Sequence, residues 1–421
     1  MSLTSFVGMR ISLKRDGHRA SSGVLIAVTG IAVAFVIMLL AIAIVSGFKN
    51  QIMLKLQGFN SQISILPPNP SSETDTFTPL QLTPELQSVI REIIPDATIS
   101  LTINQPAVLK TDSTFQGIIL RGIKSGTPWD FIKENLLEGT IPDPSDTMAL
   151  VLSKATADAL NVSTGQKLRT HFFDGNNLRT RNLTVTGVYD SHFADFDKSL
   201  AFTPLPMLQQ LFQIDSMAAT AIDIGGLNFN DIPETSQRLY EKLLENSLHG
   251  SASRFDKPKQ TTLYKVDNIV QQCSMYINWL NLLDTNVYVI LTLMAFVSGF
   301  TLISSLFIII LEKVNMIGLF KALGATDTTI RKIFLFIAQR LVIKGLVIGN
   351  IIGVSIILLQ QYTHLIPLNP DAYYLNFVPM ELSFPALIIL NIAVIVVAYA
   401  ILILPSLLIS GLSPVKTLKY E

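Results

Sequence analysis

The fold is decided by residues 24–45, which read VLIAVTGIAVAFVIMLLAIAIV. At a rise of about 1.5 Å per residue, a helix of this length crosses a hydrocarbon core about 30 Å thick. Three further apolar runs of similar length follow at 287–311, 333–359 and 385–408. The sequence therefore predicts an α-helical membrane protein with four transmembrane helices.

The composition fits a membrane protein that also carries a polar domain. Of the 421 residues, 49% are hydrophobic and 15% are charged, whereas typical soluble domains contain about 25% charged residues. The apolar excess lies in the four runs, and residues 60–261 have an ordinary globular composition. Basic and acidic residues number 31 each and are scattered, which argues against nucleic-acid binding. The single cysteine, Cys273, cannot form an intrachain disulfide.

The predicted domain boundaries follow from the positions of the runs. Residues 60–261 are predicted to form a large α+β extracytoplasmic domain, because strands and helices alternate at both ends of this segment. Its middle part, about 115–205, is rich in strand patterns and is predicted as a mostly β subdomain inserted into an α/β one. The other predicted segments are an amphipathic arm at 1–22, a transmembrane helix with a stalk at 23–59, a stalk and transmembrane helix at 262–311, a loop at 312–332, transmembrane helices at 333–359 and 385–409 joined by a loop at 360–384, and a tail at 410–421.

The distribution of basic residues predicts the orientation in the membrane. Lys and Arg are absent from 360–383. They are frequent before the first run and in the 312–332 loop, at Arg10, Lys14, Arg15, Arg19, Lys313, Lys321, Arg331 and Lys332. The positive-inside rule therefore places both termini and the 312–332 loop in the cytoplasm. The first run exceeds the 7–15 residues of a signal peptide's apolar region, so we expect it to be retained.

Two of the helices are predicted to extend beyond the membrane. Apolar residues recur at helical spacing after the first run, at Phe48, Ile52, Leu56 and Phe59, and before the second run, from Val266 to Leu283. Gly58 is the expected end of the first helix, and the second helix is expected to run from about 262 to 311. These extensions are either amphipathic linkers on the membrane surface or rigid stalks that transmit motion. The unbroken periodicity favours stalks.

The 312–332 loop is predicted to contain a short apolar helix. Its sequence from Glu312 is EKVNMIGLFKALGAT, and Gly324 is the expected C-cap. A loop helix with this much apolar surface needs a partner surface. Either the membrane surface or a cleft on a cytoplasmic protein would serve.

Motifs for catalysis and nucleotide binding are missing from the sequence. The five histidines lack metal-ligand spacing, and the G-x-S-x-G, H-E-x-x-H and G-x-x-x-x-G-K-[ST] patterns do not occur. His192, Asp195 and Asp197 cluster in DSHFADFD at 190–197, which is interpreted as a solvated loop. The chain is therefore expected to be non-catalytic and to hold no cofactor or metal, with a membrane-anchored enzyme as the remote alternative.

Several motifs resemble a known family. The segment EKVNMIGLFKALGA at 312–325 resembles the coupling segment of the four-span FtsX/MacB superfamily of ABC transporter permeases. Other motifs over nearly the whole length resemble its lipoprotein-releasing branch, the LolC/LolE type. They are RISLKR at 10–15, SGFKN at 46–50, LQGFN at 56–60, VTGVYDSHFADFDKSLAFTPL at 185–205, VPMELS at 378–383 and LSPVKTLKYE at 412–421.

The resemblance implies a function and a set of partners. The loop helix would dock into a dimer of a separate ABC ATPase, which binds ATP and Mg. The implied coupling residues are Glu312, Lys313, Met316, Ile317, Leu319, Phe320, Lys321, Leu323 and Gly324. A second permease chain, the same or homologous, would complete a transporter that takes lipoproteins from the outer leaflet of the bacterial inner membrane to a periplasmic carrier. The family's extended carrier-docking hairpin is compact here at 171–181, so direct docking of a carrier is not implied.

Lipoprotein extraction would require an apolar groove. Three acyl chains with about 45 methylenes would cost on the order of 35 kcal/mol to expose to water. The predicted groove residues on the first two helices are Met38, Ile42, Phe48, Met294, Phe300 and Phe307, with plain helix packing as the alternative. Gly345, Gly349 and Gly353 form a small-residue stripe for close helix packing, within one chain or between two.

Two other functions remain open at this point. The same architecture could export a toxin or peptide from the periplasm. It could also use ATP-driven stalk motion to activate a cell-wall hydrolase without carrying any substrate. Membrane lipids would surround the chain in each case.

Overall fold

The computed structural model describes residues 22–68, 79–124, 127–174, 177–249 and 263–408. The predicted tail at 410–421 and nearly all of the predicted arm at 1–22 lie outside these residues. The chain divides into two compact units. We call them the sheet unit, Gln51–Asn278 with Leu368–Asn376, and the helical unit, Met1–Asn50 with Trp279–Pro367 and Phe377–Glu421.

The helices and strands are numbered in chain order. The helices are α1 Ser22–Phe59, α2 Pro84–Ile93, α3 Thr127–Glu134, α4 Lys154–Leu160, α5 Ala194–Asp197, α6 Leu205–Phe212, α7 Ile232–His249, α8 Ile269–Gln272, α9 Ser274–Glu312, α10 Val314–Ala322, α11 Asp327–Thr363, α12 Pro370–Tyr373 and α13 Phe384–Leu408. The strands are β1 Ile63–Leu66, β2 Leu80–Gln81, β3 Thr98–Lys110, β4 Phe115–Ile123, β5 Leu136–Gly139, β6 Ala149–Ser153, β7 Lys167–Asp174, β8 Asn177–Tyr189, β9 Leu200–Pro204, β10 Ala218–Ala219, β11 Ala221–Gly225 and β12 Lys265–Asn268.

Four helices of the described residues are long and apolar enough to cross a membrane, namely α1, α9, α11 and α13. The predicted four-helix membrane protein is thereby confirmed. With 38 and 39 residues, α1 and α9 are each about 57 Å long, nearly twice the thickness of a hydrocarbon core. Both helices continue without a break from the helical unit into the sheet unit.

The start of the second long helix differs from the prediction. Residues 265–268 form β12, which pairs with β1 from Ile63↔Asn268 to Leu66↔Lys265. The side chain of Asn268 then accepts a hydrogen bond of 2.9 Å from the Gln271 N–H and caps α8. The helical backbone is interrupted at Cys273, which lies between α8 and α9. Helical spacing in the sequence could not reveal this, because the strand hydrogen bonds come from a partner far along the chain.

Gly58 also has a different role from the predicted one. It lies inside α1, which ends at Phe59. A Cβ atom at Gly58 would lie 2.4 Å from ring atoms of Phe131. Glycine is therefore needed here because α3 approaches α1 closely, and not because the helix ends in a left-handed turn.

A ten-stranded sheet organises the sheet unit. Nine of its strands follow one another in the order β12-β1-β11-β3-β4-β9-β6-β8-β5, and β7 is the tenth. Strand β7 pairs with both β3 and β8, so β3, β4, β9, β6, β8 and β7 close into a ring. One end of β3 pairs with β11, from Thr98 to Thr102, and the other end pairs with β4 and β7. The strand-rich segment 115–205 therefore shares β3 with the flanking part of the domain.

A buried ion pair lies where the end of α1 meets the sheet. Arg121 of β4 and Asp223 of β11 are 6% and 5% exposed, and their side chains are 3.0 Å apart. Arg121 also donates a hydrogen bond to the carbonyl of Phe59, the last residue of α1. Asp223 accepts further hydrogen bonds from the hydroxyls of Ser64 and Thr102. The last turn of α1 is thus hydrogen-bonded to the centre of the sheet.

Candidate functional site

Helix α10 lies within the predicted coupling segment and has a defined C-cap. Gly324 has φ +90°. The Gly324 N–H bonds to the carbonyl of Lys321 at 3.0 Å, and the Ala325 N–H bonds to that of Phe320 at 2.9 Å. This pattern ends a helix in a left-handed residue, which glycine adopts without a steric penalty.

The structure divides the predicted coupling residues between two faces of α10. Ile317 is fully buried, and Met316 and Phe320 pack against the same cluster as Phe334. Leu319 and Leu323 are 55% and 76% exposed. Glu312 and Gly324 are exposed as well, while Lys313 and Lys321 are intermediate. The buried face attaches α10 to its own chain, so only the exposed face is open to a partner.

The predicted groove residues do not form one wall. Met38 is only 3% exposed, and Ile42 and Met294 pack against the core cluster that contains it. Phe48 is 8% exposed and contacts the edge of Trp279. The remaining two, Phe300 and Phe307, are exposed on α9, at 68% and 39%.

The exposed side of α9 carries an apolar stripe. Its residues recur every three, four or seven positions, at Leu282, Val289, Leu293, Phe296, Phe300, Phe307 and Leu311, and their exposure ranges from 39% to 68%. This spacing places them on one face of the helix. Sequence reasoning found only two of them, because hydropathy does not distinguish a lipid-facing or partner-facing residue from one that packs inside its own chain.

A small apolar cavity lies between α9 and α13 within the helical unit. Its volume is about 230 Å³, and it reaches Met38 of α1. Residues with short side chains provide much of the lining, among them Ala295, Ser298, Gly299 and Ala393. A Cβ atom at Gly299 would lie 2.6 Å from Ile401, so the two helices already approach closely beside the cavity.

The glycine stripe of α11 contacts α1 of the same chain. Cβ atoms at Gly345, Gly349 and Gly353 would lie 2.8 to 3.0 Å from side-chain atoms of Ile31, Phe35 and Leu39, respectively. Because side chains longer than hydrogen would collide there, the stripe permits close packing of two helices within one chain.

Charged and polar side chains join helices elsewhere in the helical unit. Lys49 of α1 forms an ion pair of 2.6 Å with Asp284 of α9. The amide of Asn50 donates to the carboxylate of Glu381 at 2.9 Å. These contacts connect α1 both to α9 and to the segment that precedes α13.

The interpretation of 190–197 as a solvated loop is wrong for Asp197, which is 3% exposed. Asp197 accepts hydrogen bonds from the Ser191 hydroxyl at 2.7 Å and the Phe193 N–H at 3.2 Å. Burial raises the pKa of the Asp197 carboxyl to about 6, although these hydrogen bonds and Lys55 act to lower it. The loop therefore holds a carboxyl that titrates above its ordinary range.

Stability of the sheet unit is expected to depend on pH through Asp197. Its folded-state pKa lies above the ordinary value of 3.8. Between about pH 4 and 6 the folded protein thus holds a proton that the unfolded chain has lost, and stability falls as pH rises through this window. The unfolding free energy of the parent minus that of Asp197→Asn should fall by about 2 kcal/mol from pH 4 to pH 6.

Urea unfolding of the full chain in detergent measures this difference. Trp129 lies in the sheet unit, and Trp279→Phe leaves it as the only tryptophan. Asp158→Asn, which changes an exposed carboxyl of the same unit, is the matched control. A pH-independent difference for Asp197→Asn would contradict the raised pKa.

Two family descriptions match this chain. Residues 288–414 match the FtsX-like permease C-terminal domain, and residues 24–225 match the MacB-like periplasmic core domain. The first range contains most of α9 and all of α10 and α11. The second contains nearly all of α1 and the strands from β1 to β11.

Full-length relatives are lipoprotein-releasing system transmembrane proteins named LolC. The one from Neisseria meningitidis serogroup B is 22% identical, and the alignment covers 100% of both chains. The one from Xylella fastidiosa is 21% identical and covers 100% of this chain and 99% of its own. Among solved structures, the extracellular domain of the noncanonical ABC-type transporter YknZ from Gram-positive bacteria is 20% identical, with a TM-score of 0.31, and covers 49% of this chain and 99% of that one. This chain accordingly matches both domains of the FtsX/MacB type of ABC transporter permease and is similar over its whole length to LolC proteins.

Proposed function

We propose that this chain is the permease subunit of a transporter that extracts lipoproteins from the outer leaflet of the bacterial inner membrane and releases them toward a periplasmic carrier. The observation that carries the proposal is the exposed apolar stripe on α9, in a chain whose full-length relatives are LolC proteins. Lipoprotein acyl chains need an apolar surface at every stage of extraction, because each methylene exposed to water costs about 0.8 kcal/mol.

In this proposal, the acyl chains enter along the exposed face of α9 and not among the buried residues near Met38. Phe300 and Phe307 lie on that face, and bulky apolar side chains of this kind suit variable chains. A second permease chain, the same or homologous, would face the stripe from the other side of the groove.

The driving force would come from a separate ATPase dimer that binds ATP and Mg. The exposed face of α10, with Leu319 and Leu323, would dock into it from the cytoplasmic side. Helices α1 and α9 would carry the resulting motion to the sheet unit, because each is a single helix that continues between the two units. Both termini would be cytoplasmic and the sheet unit periplasmic.

A photocrosslinking amino acid at Phe300 is expected to capture triacylated lipoproteins in intact membranes. Phe300 is 68% exposed on the stripe, whereas Met38 is 3% exposed. The same crosslinker at Met38 should therefore capture at least tenfold less. Mass spectrometry of the crosslinked products identifies the cargo.

The alternatives predict different products in this experiment. A toxin or peptide exporter would yield non-lipidated cargo at Phe300. A permease that only activates a cell-wall hydrolase would yield no cargo and would bind the hydrolase through the sheet unit. Either result would contradict lipoprotein release.

A further inference from the structure

One loop of the sheet unit contacts three separated parts of the chain. This loop, residues 190–197, follows β8 and contains α5. Within it, Ser191 and Phe193 are fully buried, and His192 takes a positive φ of 56°. The Ser191 hydroxyl donates to Asp197 and accepts from the Phe193 N–H at 3.1 Å. These hydrogen bonds fix the conformation of the loop.

Lys55 joins this loop to α1 and to a distant segment. Its ammonium donates to the carbonyl of Ser191 at 2.6 Å and to the carbonyl of Tyr374 at 2.7 Å. Lys55 belongs to α1, and Tyr374 lies in Leu368–Asn376, which connects α11 to α13. Hydrogen bonds with one charged partner are among the stronger ones in proteins. A single side chain thus holds α1, the loop and this connection together.

Asp195 joins the same loop to α9. Its carboxylate accepts from the hydroxyl of Tyr276 at 2.6 Å and from the hydroxyl of Tyr374 at 3.2 Å. The centroid of the Phe193 ring lies 5.2 Å from that of the Tyr276 ring and 4.7 Å from that of the Tyr374 ring. Tyr276 belongs to the first turn of α9. The loop therefore contacts both long helices and the connection between α11 and α13.

The three contacted segments are the places where the chain passes between the two units. The passages are at Asn50 to Gln51 in α1, at Asn278 to Trp279 in α9, and at both ends of Leu368–Asn376. All the contacts described above lie inside the sheet unit. They connect, within that unit, the three segments through which it is covalently attached to the helical unit.

We propose that Lys55 is a positioning residue that makes α1, α9 and the Leu368–Asn376 connection move as one body during transport. The ammonium fixes the loop 190–197 against α1 and the connection, and the loop in turn holds α9 through Asp195. Without the ammonium, a displacement of α1 would not be transmitted fully to the other two. This inference rests on the proposed function, since it assigns a step to the motion that drives release.

The first test measures the coupling itself and needs no substrate. Spin labels at Leu54→Cys and Met275→Cys, in a Cys273→Ser background, report the distance between α1 and α9, because both positions are exposed, at 53% and 70%. In the parent permease bound to its ATPase, the distance distribution should be narrow and the same with and without trapped ATP. In Lys55→Met it should at least double in width or change with ATP. An unchanged narrow distribution in Lys55→Met would overturn the proposal.

The second test measures transport by the same complexes in proteoliposomes that contain a triacylated lipoprotein. Lys55→Met should keep ATP hydrolysis within twofold of the parent, while lipoprotein release falls at least tenfold. Lys55→Arg should recover most of the lost release. Lys198→Met, an exposed lysine beside the loop, should release normally. Tyr276→Phe with Tyr374→Phe keeps both rings but removes both hydroxyl donors to Asp195, and should lower release several-fold.

The outcomes separate this inference from the proposed function. Parallel loss of ATPase assembly, hydrolysis and release in Lys55→Met would indicate a purely structural role and would overturn the inference. Full release by Lys55→Met would overturn it as well. A parent complex that hydrolyses ATP but releases no lipoprotein would contradict the proposed function, while the spin-label distances would still decide whether Lys55 couples the helices.

Discussion

The double variant Leu319→Asp/Leu323→Asp is expected to lose its ATPase partner, with the affinity lowered at least 100-fold. Leu319 lies on α10 and Leu323 directly follows its last residue; both are exposed, whereas Ile317 of the same helix is fully buried. Burying a leucine in an interface contributes about 1.5–3 kcal/mol, and each 1.4 kcal/mol changes the dissociation constant tenfold. Carboxylates at these positions would also place unpaired charges in the interface, which adds to the loss.

Binding of the purified ATPase to the permease in nanodiscs measures this effect. The variant should remain folded, because neither substitution touches the buried face of α10. Leu137→Asp/Met148→Asp is the matched control, since these large apolar residues of the sheet unit are also exposed, at 54% and 49%. It should bind the ATPase like the parent. Undiminished binding by the α10 variant would favour the membrane surface as the partner of this helix.

Arg121→Met is expected to lower the unfolding free energy of the sheet unit by about 3–5 kcal/mol, the usual cost of removing one partner of a buried ion pair. The substitution leaves the buried carboxylate of Asp223 with hydroxyl donors alone. It also removes the donor to the Phe59 carbonyl at the end of α1. The loss should therefore exceed that from a typical core substitution of similar size.

Urea unfolding followed by Trp129 fluorescence in the Trp279→Phe background gives the magnitude. Lys124→Met removes an exposed cation one residue beyond the same strand, and should change stability by less than about 0.5 kcal/mol. Arg121→Met/Asp223→Leu should recover most of the loss, because well-packed apolar pairs can replace buried ion pairs. Equal stability of Arg121→Met and the parent would show that Asp223 does not need its cation.

The architecture was largely predictable from local patterns. The four membrane helices follow from uninterrupted apolar runs. Helix α2 begins at Pro84, where the hydroxyl of Thr83 caps it, and a proline at the first turn is a local signal that sequence alone reveals. Residues 265–268 could not be assigned in the same way, because their pairing with β1 depends on a strand some 200 positions earlier.

The site was less predictable than the fold. Met38 and Phe300 are both large apolar residues in membrane helices, yet one is buried and the other exposed. Only the packing of neighbouring helices decides which residue is buried, and the hydropathy of a residue does not depend on that packing. Acidic loops are usually solvated, so the sequence predicts a solvated Asp197, but a serine hydroxyl and a backbone N–H six and four residues earlier satisfy its carboxylate. Lys55 gave no sequence signal, because a lysine at the end of a membrane helix is ordinary.

The long strand β3 has a consequence for protein engineering and for the evolution of this domain. Because β3 pairs with β4 along nine positions, from Thr102↔Ile123 to Lys110↔Phe115, excision of 115–205 would not remove a self-contained module. It would strip β3 of β4 and β7 and create a long unsatisfied edge, which is a template for aggregation. Homologous permeases should therefore tolerate inserted residues at the hairpin tips of the ring. A ring that is transferred as a unit from one permease to another would have to include β3.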